Sequence, residues 1–260
     1  MIDLTSRVKN YVLSCGANLV GICWIDNLAE EHRKKVLTLL PEAKTAVVFV
    51  CRHSYTAMAS ENINILKFDT LTVYENINRI SLGLVRFLED EGFKAMAIPP
   101  YLPIEMSKET SGLIGDVSLR HLAVEAGLGI LGLNRLLITK DYGPRVRIGA
   151  VLTSANLNPD KKLEDNFCNN CKLCIKSCPV KAIGEDGILN VRKCAANVLK
   201  YGLPTLIRFI PELAGKSKDE ISKIIRDPLF WNIWQTLTLG AFYECFECIK
   251  VCPIGKRFSV

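Results

Sequence analysis

Four cysteines, Cys168, Cys171, Cys174 and Cys178, are separated by two, two and three residues, and Pro179 follows the last. This is the run with which bacterial ferredoxins hold four-iron clusters. A tight loop turns three successive thiolates inward around one cube, and the fourth is carried on to ligate a second. Zinc is the alternative chemistry, but zinc sites pair two separate two-cysteine knuckles rather than using one continuous run. A second run, Cys245, Cys248 and Cys252 followed by Pro253, repeats the first without its leading cysteine, and Phe242 stands at that position. Cys194, from the intervening segment, can fill the vacancy. The crossover rule then predicts one cluster on Cys168, Cys171, Cys174 and Cys252, and a second on Cys178, Cys194, Cys245 and Cys248. The chemistry implied is low-potential electron transfer through two [4Fe–4S] clusters.

The other thiols, Cys15, Cys23 and Cys51, fall in helix and strand patterns and read as core residues. Eleven cysteines in a small secreted protein would suggest disulfides, but neither the spacing nor the context fits that reading. The start of the chain has no basic leader and no twin-arginine pair, and no uncharged apolar run reaches the roughly 20 residues of a membrane helix. A cytoplasmic, non-membrane protein is expected. The composition, 49% hydrophobic and 23% charged, is that of a globular chain. The net charge of +6 lies wholly in residues 161–260, which hold 16 Lys and Arg against 10 Asp and Glu. Such a basic module could dock an acidic electron donor or a nucleic acid, or its charge could simply offset anionic clusters.

The elements that must position these cysteines can be read from periodicity. Helices are expected over 5–15, about 30–40, 74–90 and about 116–126, with strands at 19–25, 46–51, 94–98, 136–139 and 146–153. The alternation predicts an α/β domain over 1–155. A polar linker at 154–166 precedes a cysteine-rich domain at 160–260. A β-turn unit is expected at 180–192. An inserted helical segment at about 200–243 includes the aromatic stretch from Leu229 to Trp234, which could cover a cluster or meet a partner.

The helix ending in Ala126-Gly127-Leu128-Gly129, the following Leu136-Leu137-Ile138 and the eight-cysteine arrangement resemble the epoxyqueuosine reductase and reductive dehalogenase superfamily. Two further segments, Gly16 to Ile22 and Gly143 to Gly149, are similar to that family. The resemblance implies an α+β, nitroreductase-like corrin-binding domain followed by a ferredoxin-like double-cluster domain. Cobalamin would be held base-off, with flavin as second choice, and Gly127, Leu128, Gly129, Gly132 and Asn134 would be corrin-site residues. The aspartate–histidine motif that ligates cobalt elsewhere is absent; the three histidines are His32, His53 and His121. The sequence also departs from the family. Leu113 stands where epoxyqueuosine reductases carry a catalytic aspartate, and Asp116 is placed to cap the next helix. Ile130 and Leu133 replace a Trp and a Lys of the glycine turn. The chain is a short form that ends eight residues after Cys252, without the helical-repeat segment such enzymes often use for tRNA, so tRNA is not expected as a partner.

Reduction of an organic substrate needs a positioned acid. Tyr101, Asp116 and His121 are the candidates, Tyr101 being more readily read as a packed loop anchor. Two functions follow. One is a cobalamin-dependent reductase fed by a low-potential donor such as ferredoxin or flavodoxin. The other is an electron carrier or reductive activator of a separate corrinoid protein.

Overall fold

A computed structural model describes residues 3–101, 107–109 and 113–256. Leu102 and Pro103 of the loop expected after the third strand lie outside the described residues.

The core is a four-stranded sheet in the order β1-β2-β6-β3, formed by β1 (Leu19–Trp24), β2 (Thr45–Arg52), β3 (Ala95–Ile98) and β6 (Val146–Thr153). A small hairpin pairs β4 (Ile130–Leu131) with β5 (Leu137–Ile138). Every pairing in the main sheet is antiparallel, with Val48 opposite Gly21 on one side and Ala150 on the other. Helices and strands alternate as expected, yet the unit is α+β rather than a parallel α/β sheet, because no helix joins two adjacent parallel strands.

β2 is buried from Thr45 to Cys51 because both of its faces are covered. Ala46, Val48 and Val50 pack with α2 (Glu30–Leu39) and α5 (Leu119–Glu125), while Val47, Phe49 and Cys51 pack with α1 (Leu4–Ser14) and α4 (Ile63–Asp90). Side chains alternate across a strand, so two layers of helices require an apolar residue at every position.

α4 starts eleven residues earlier than its apolar period indicates. Asn62 caps it, with Oδ1 accepting from Asn64 N. The first three turns carry polar residues on the buried face. Lys67 is 3% exposed and pairs with Glu244, and Asp69 pairs with His53. Those polar contacts conceal the period from sequence. At α5 the N-cap is Ser118, so Asp116 sits in the preceding turn instead of capping the helix.

The cysteine-rich part contains α6 (Leu173–Lys176), α7 (Val191–Val198), α8 (Leu203–Leu213), α9 (Lys218–Ile225), α10 (Pro228–Leu239) and α11 (Glu247–Lys250). The turn unit at 180–192 closes through a bridge between Ile183 and Leu189. The inserted segment becomes α8, α9 and α10. Trp231 and Trp234 are half exposed on α10, and Ile233 is buried. Among the described residues no helix is long and apolar enough to cross a membrane.

Candidate iron–sulfur site

The loop from Cys168 to Cys174 is bent by two residues in the left-handed region, Asn170 and Lys172 (φ 52° and 57°), one between each pair of cysteines. A non-glycine residue rarely adopts that conformation, and here it reverses the chain so that successive thiols turn the same way. Asn166 and Asn169 fasten the loop by accepting from the backbone N–H groups of Cys168 and Cys171 at 3.1 and 3.3 Å.

α6 and α11 are equivalent four-residue helices that pack together. Each carries a cysteine at its second position, Cys174 or Cys248, and each is followed by a Cys-Pro pair. Cys252, carried beyond α11, returns to the first loop. With Cys168, Cys171 and Cys174 it lines one cavity, closed by Leu133, Ile138 and Pro253. Burial raises the Cys174 thiol, and the neighbouring Cys168 and Cys171 add to it.

The other four cysteines form a second neighbourhood. Burial raises Cys194, with Cys245 and Cys178 contributing. Cys248 is pushed up to about 12, first by burial and then by Cys245, Cys194, Cys174 and Cys178. Cys178 Sγ also accepts from Ala182 N at 3.2 Å, the kind of contact that tunes a cluster-bound sulfur. Cys168, Cys171, Cys174 and Cys252 thus share one cavity, while Cys178, Cys194, Cys245 and Cys248 are linked by their influence on one another's thiols. Among the described residues no three His, Cys, Asp or Glu side chains converge on a single metal ion.

Several polar contacts fix this region to the sheet. Arg145, immediately before β6, donates from Nη1 to Ile254 O at 2.8 Å and from Nη2 to Cys252 O at 2.5 Å and Lys250 O at 3.2 Å. Lys250 Nζ donates to Ser60 O at 2.8 Å, and the Tyr74 and Tyr243 hydroxyls lie 2.7 Å apart. Phe246 is buried against Met58, Leu66 and Ile249.

Near Arg147 lies a buried polar group that sequence reading passed over. His53 is fully buried, with Nδ1 at 2.6 Å from Asp69 Oδ2. Burial lowers its pKa to about 4 despite that carboxylate, so the ring is neutral and Nδ1 carries the proton donated to Asp69. The Arg147 guanidinium stands 4.8 Å from the Tyr243 ring centre and 5.6 Å from that of Tyr74. His53 Nε2 and Arg147 Nε are enclosed without a hydrogen-bond partner. Asp69 also borders an open cleft of about 530 Å³, with Asn18, Arg52, Ser54, Asn76 and Arg79. A histidine two residues beyond a buried strand position was the available signal.

The three candidate proton donors are not brought together. Tyr101 meets Tyr74 edge-on at 6.0 Å, on the α4 face. His121 lies on the opposite face, stacked 4.1 Å from His32 with Nδ1 at 2.6 Å from Ser118 Oγ. Asp116 is half-buried in the turn ahead of α5. In the glycine turn, space for a Cβ at Gly127, Gly129 or Gly132 is taken by Lys161 O, Ile138 O and Ile138 Cδ1, at 2.3, 2.4 and 2.3 Å. Leu128 is in the core. Asn134, 3% exposed, accepts from Leu136 N and borders the first cysteine cavity. Cys23 and Cys51 are core thiols, pushed up to about 12 and about 11 by burial.

No family model matches the sequence. Over 142 residues the chain is 29% identical to an epoxyqueuosine reductase of Bacillus subtilis, a match covering 55% of this chain and 30% of that protein. Over 164 residues it is 30% identical to a tetrachloroethene reductive dehalogenase of Desulfitobacterium hafniense, covering 61% and 27%. These matches span about a third or less of the relatives' length. Among solved structures, epoxyqueuosine reductase from Streptococcus thermophilus aligns with a TM-score of 0.57 and 17% identity over 99% of this chain and 68% of that one. A reductive dehalogenase, whose structure is described as suggesting a mechanism for B12-dependent dehalogenation, aligns at 0.56 and 19% over 74% and 28%. At such identities the structural likeness speaks for the fold alone. The sequence matches and the fold point alike to similarity with epoxyqueuosine reductases and reductive dehalogenases.

Proposed function

We propose that the chain is an iron–sulfur oxidoreductase of the cobalamin-dependent kind. A ferredoxin-like unit over 160–260 would hold two [4Fe–4S] clusters and pass low-potential electrons singly toward a nitroreductase-like unit over 1–155. The observation that supports this reading is the cavity lined together by Cys168, Cys171, Cys174 and the distant Cys252. The donor set fits the clusters: all-thiolate, partly enclosed, and backed by amide hydrogen bonds.

The residues expected to cradle a corrin fit it less well, because the chain's own atoms already fill the glycine turn. The fit is better near Arg147, where two enclosed polar atoms, its own Nε and His53 Nε2, lack hydrogen-bond partners. Cobalamin bound there would supply low-valent cobalt for two-electron reduction. The protein's own part is then to hold protons in place. Asp69 orients His53, and the paired hydroxyls of Tyr74 and Tyr243 adjoin Tyr101, the candidate acid on this face.

The filled glycine turn favours a second reading, in which the clusters reduce a separate corrinoid protein. Anaerobic reconstitution followed by cobalamin addition separates the two. A base-off Co(II) signal supports the reductase; eight irons without corrin binding supports the activator. Cys194→Ala is expected to leave only the first cluster intact, and eight irons in that variant would refute the ligand assignment. A ferredoxin or flavodoxin is the proposed donor. The doubt about tRNA finds no support, because one solved epoxyqueuosine reductase is described with an epoxyqueuosine-modified tRNA stem loop. Binding of such a stem loop by this chain should be measured alongside.

A further inference from the structure

Two arginines two residues apart stand at the start of β6, Arg145 just before the strand and Arg147 as its second residue. Both side chains reach the cysteine-rich unit, but each reaches a different part. Arg145, 4% exposed, is held by the carbonyls of Lys250, Cys252 and Ile254, around the cysteine that returns to the first set. Arg147 stands over the rings of Tyr74 and Tyr243, and Tyr243 packs with Cys248 of the second set on Phe246 and Ile249. Among the described residues neither guanidinium forms a salt bridge with a carboxylate, and Asp69 acts on Arg147 only through space. An enclosed cation is expensive unless it is paired. Once their thiols ligate iron, the cysteine sets would supply balancing negative charge beside each.

We infer that the start of β6 supplies one guanidinium to each cluster, Arg145 from the residue before the strand to the first and Arg147 from within it to the second, and that each raises the reduction potential of its own cluster. The inference rests on the two-cluster reading above. A [4Fe–4S] cluster with four thiolates is anionic, and the electron it accepts from a low-potential donor adds one negative charge with no bond made or broken. A fixed cation nearby stabilises the reduced form more than the oxidised one. Arg147 is expected to act more strongly. It faces ring faces and an unpartnered Nε, whereas three carbonyl dipoles partly offset the field of Arg145.

The test is an anaerobic redox titration of the reconstituted full chain followed by electron paramagnetic resonance, with Cys194→Ala identifying which signal belongs to the second cluster. Arg147→Gln is expected to make reduction of the second cluster about tenfold less favourable, a fall of about 59 mV for one electron, with the first unmoved. Arg147→Lys, which keeps the charge, should restore most of it. Arg145→Gln should shift only the first cluster, and by less. Asp69→Asn removes a carboxylate that acts on Arg147 and should move the second potential upward. This gives an opposite sign that holds even if an arginine variant fails to load iron. Wild-type protein with fewer than eight irons would break the cluster reading itself. Eight irons with unmoved potentials, or with both potentials shifting together in each single variant, would overturn the assignment of one arginine to each cluster.

Discussion

The sheet unit and the cysteine-rich unit are held together by different means. In the first, two helical layers bury a continuous apolar set on both faces of β2. In the second, α6, α7 and α9 bury no residue, and Leu203, Ile207, Ile210, Trp231 and Leu239 are at least half exposed. The second unit therefore lacks a hydrophobic core of its own size, and the clusters are expected to supply what is missing. Metal binding of this kind is folding free energy, because the site does not pre-exist in the unfolded chain.

The largest expected effect follows from that contrast. Removing iron with a chelator should release amide protection across 167–252 and leave the sheet protected, as read by hydrogen exchange. If the cysteine-rich unit stays protected without iron, the contrast is wrong. Next comes the seam between the units. Lys67→Met leaves Glu244 buried and unpaired, which should cost about 3–5 kcal/mol, and a Lys67→Met/Glu244→Leu pair should recover most of it. Denaturant unfolding of the single and double variants measures this.

The pH dependence of the sheet unit should come from His53. Its pKa is about 4 in the fold against 6.5 unfolded, so between those values the unfolded chain binds more protons and stability rises with pH. Stability is full above about pH 6.5 and falls as pH drops toward 4, by about 3 kcal/mol in all. His53→Gln should flatten that slope, and an unchanged slope would remove His53 from the account. The smallest effect is expected at the inserted helices, where Trp231→Ser should change stability by less than about 0.5 kcal/mol. A larger loss would mean that α10 belongs to a core after all.

How much was legible in the sequence follows the same division. Strands β1, β2, β3 and β6 could be read because apolar burial writes its period directly, and the cavity shared by Cys168, Cys171, Cys174 and Cys252 because the spacing of the two cysteine runs points to it. The first turns of α4 were hidden because Lys67 and Asp69 are buried for charge pairing rather than packing. The antiparallel order was hidden because alternation of elements fixes neither direction nor neighbour. Within the site, Glu244 and Tyr243 lie 169 or more residues from the His53–Asp69 end of the molecule by sequence, yet they close over it through contacts such as that of Tyr74 with Tyr243. No local pattern announces a pairing of that range.

One element carries a consequence for descent. α4 runs unbroken for 28 residues, and its two ends serve different masters. Leu66, Lys67 and Asp69 meet the cysteine-rich unit and His53, while Ile77, Ile80, Leu84 and Leu88 fill the sheet's core. Losing or gaining one residue in between would turn one end against the other by about 100°. A one-residue insertion or deletion in the middle of this helix is therefore expected to be selected against, because it would break one set of contacts or the other.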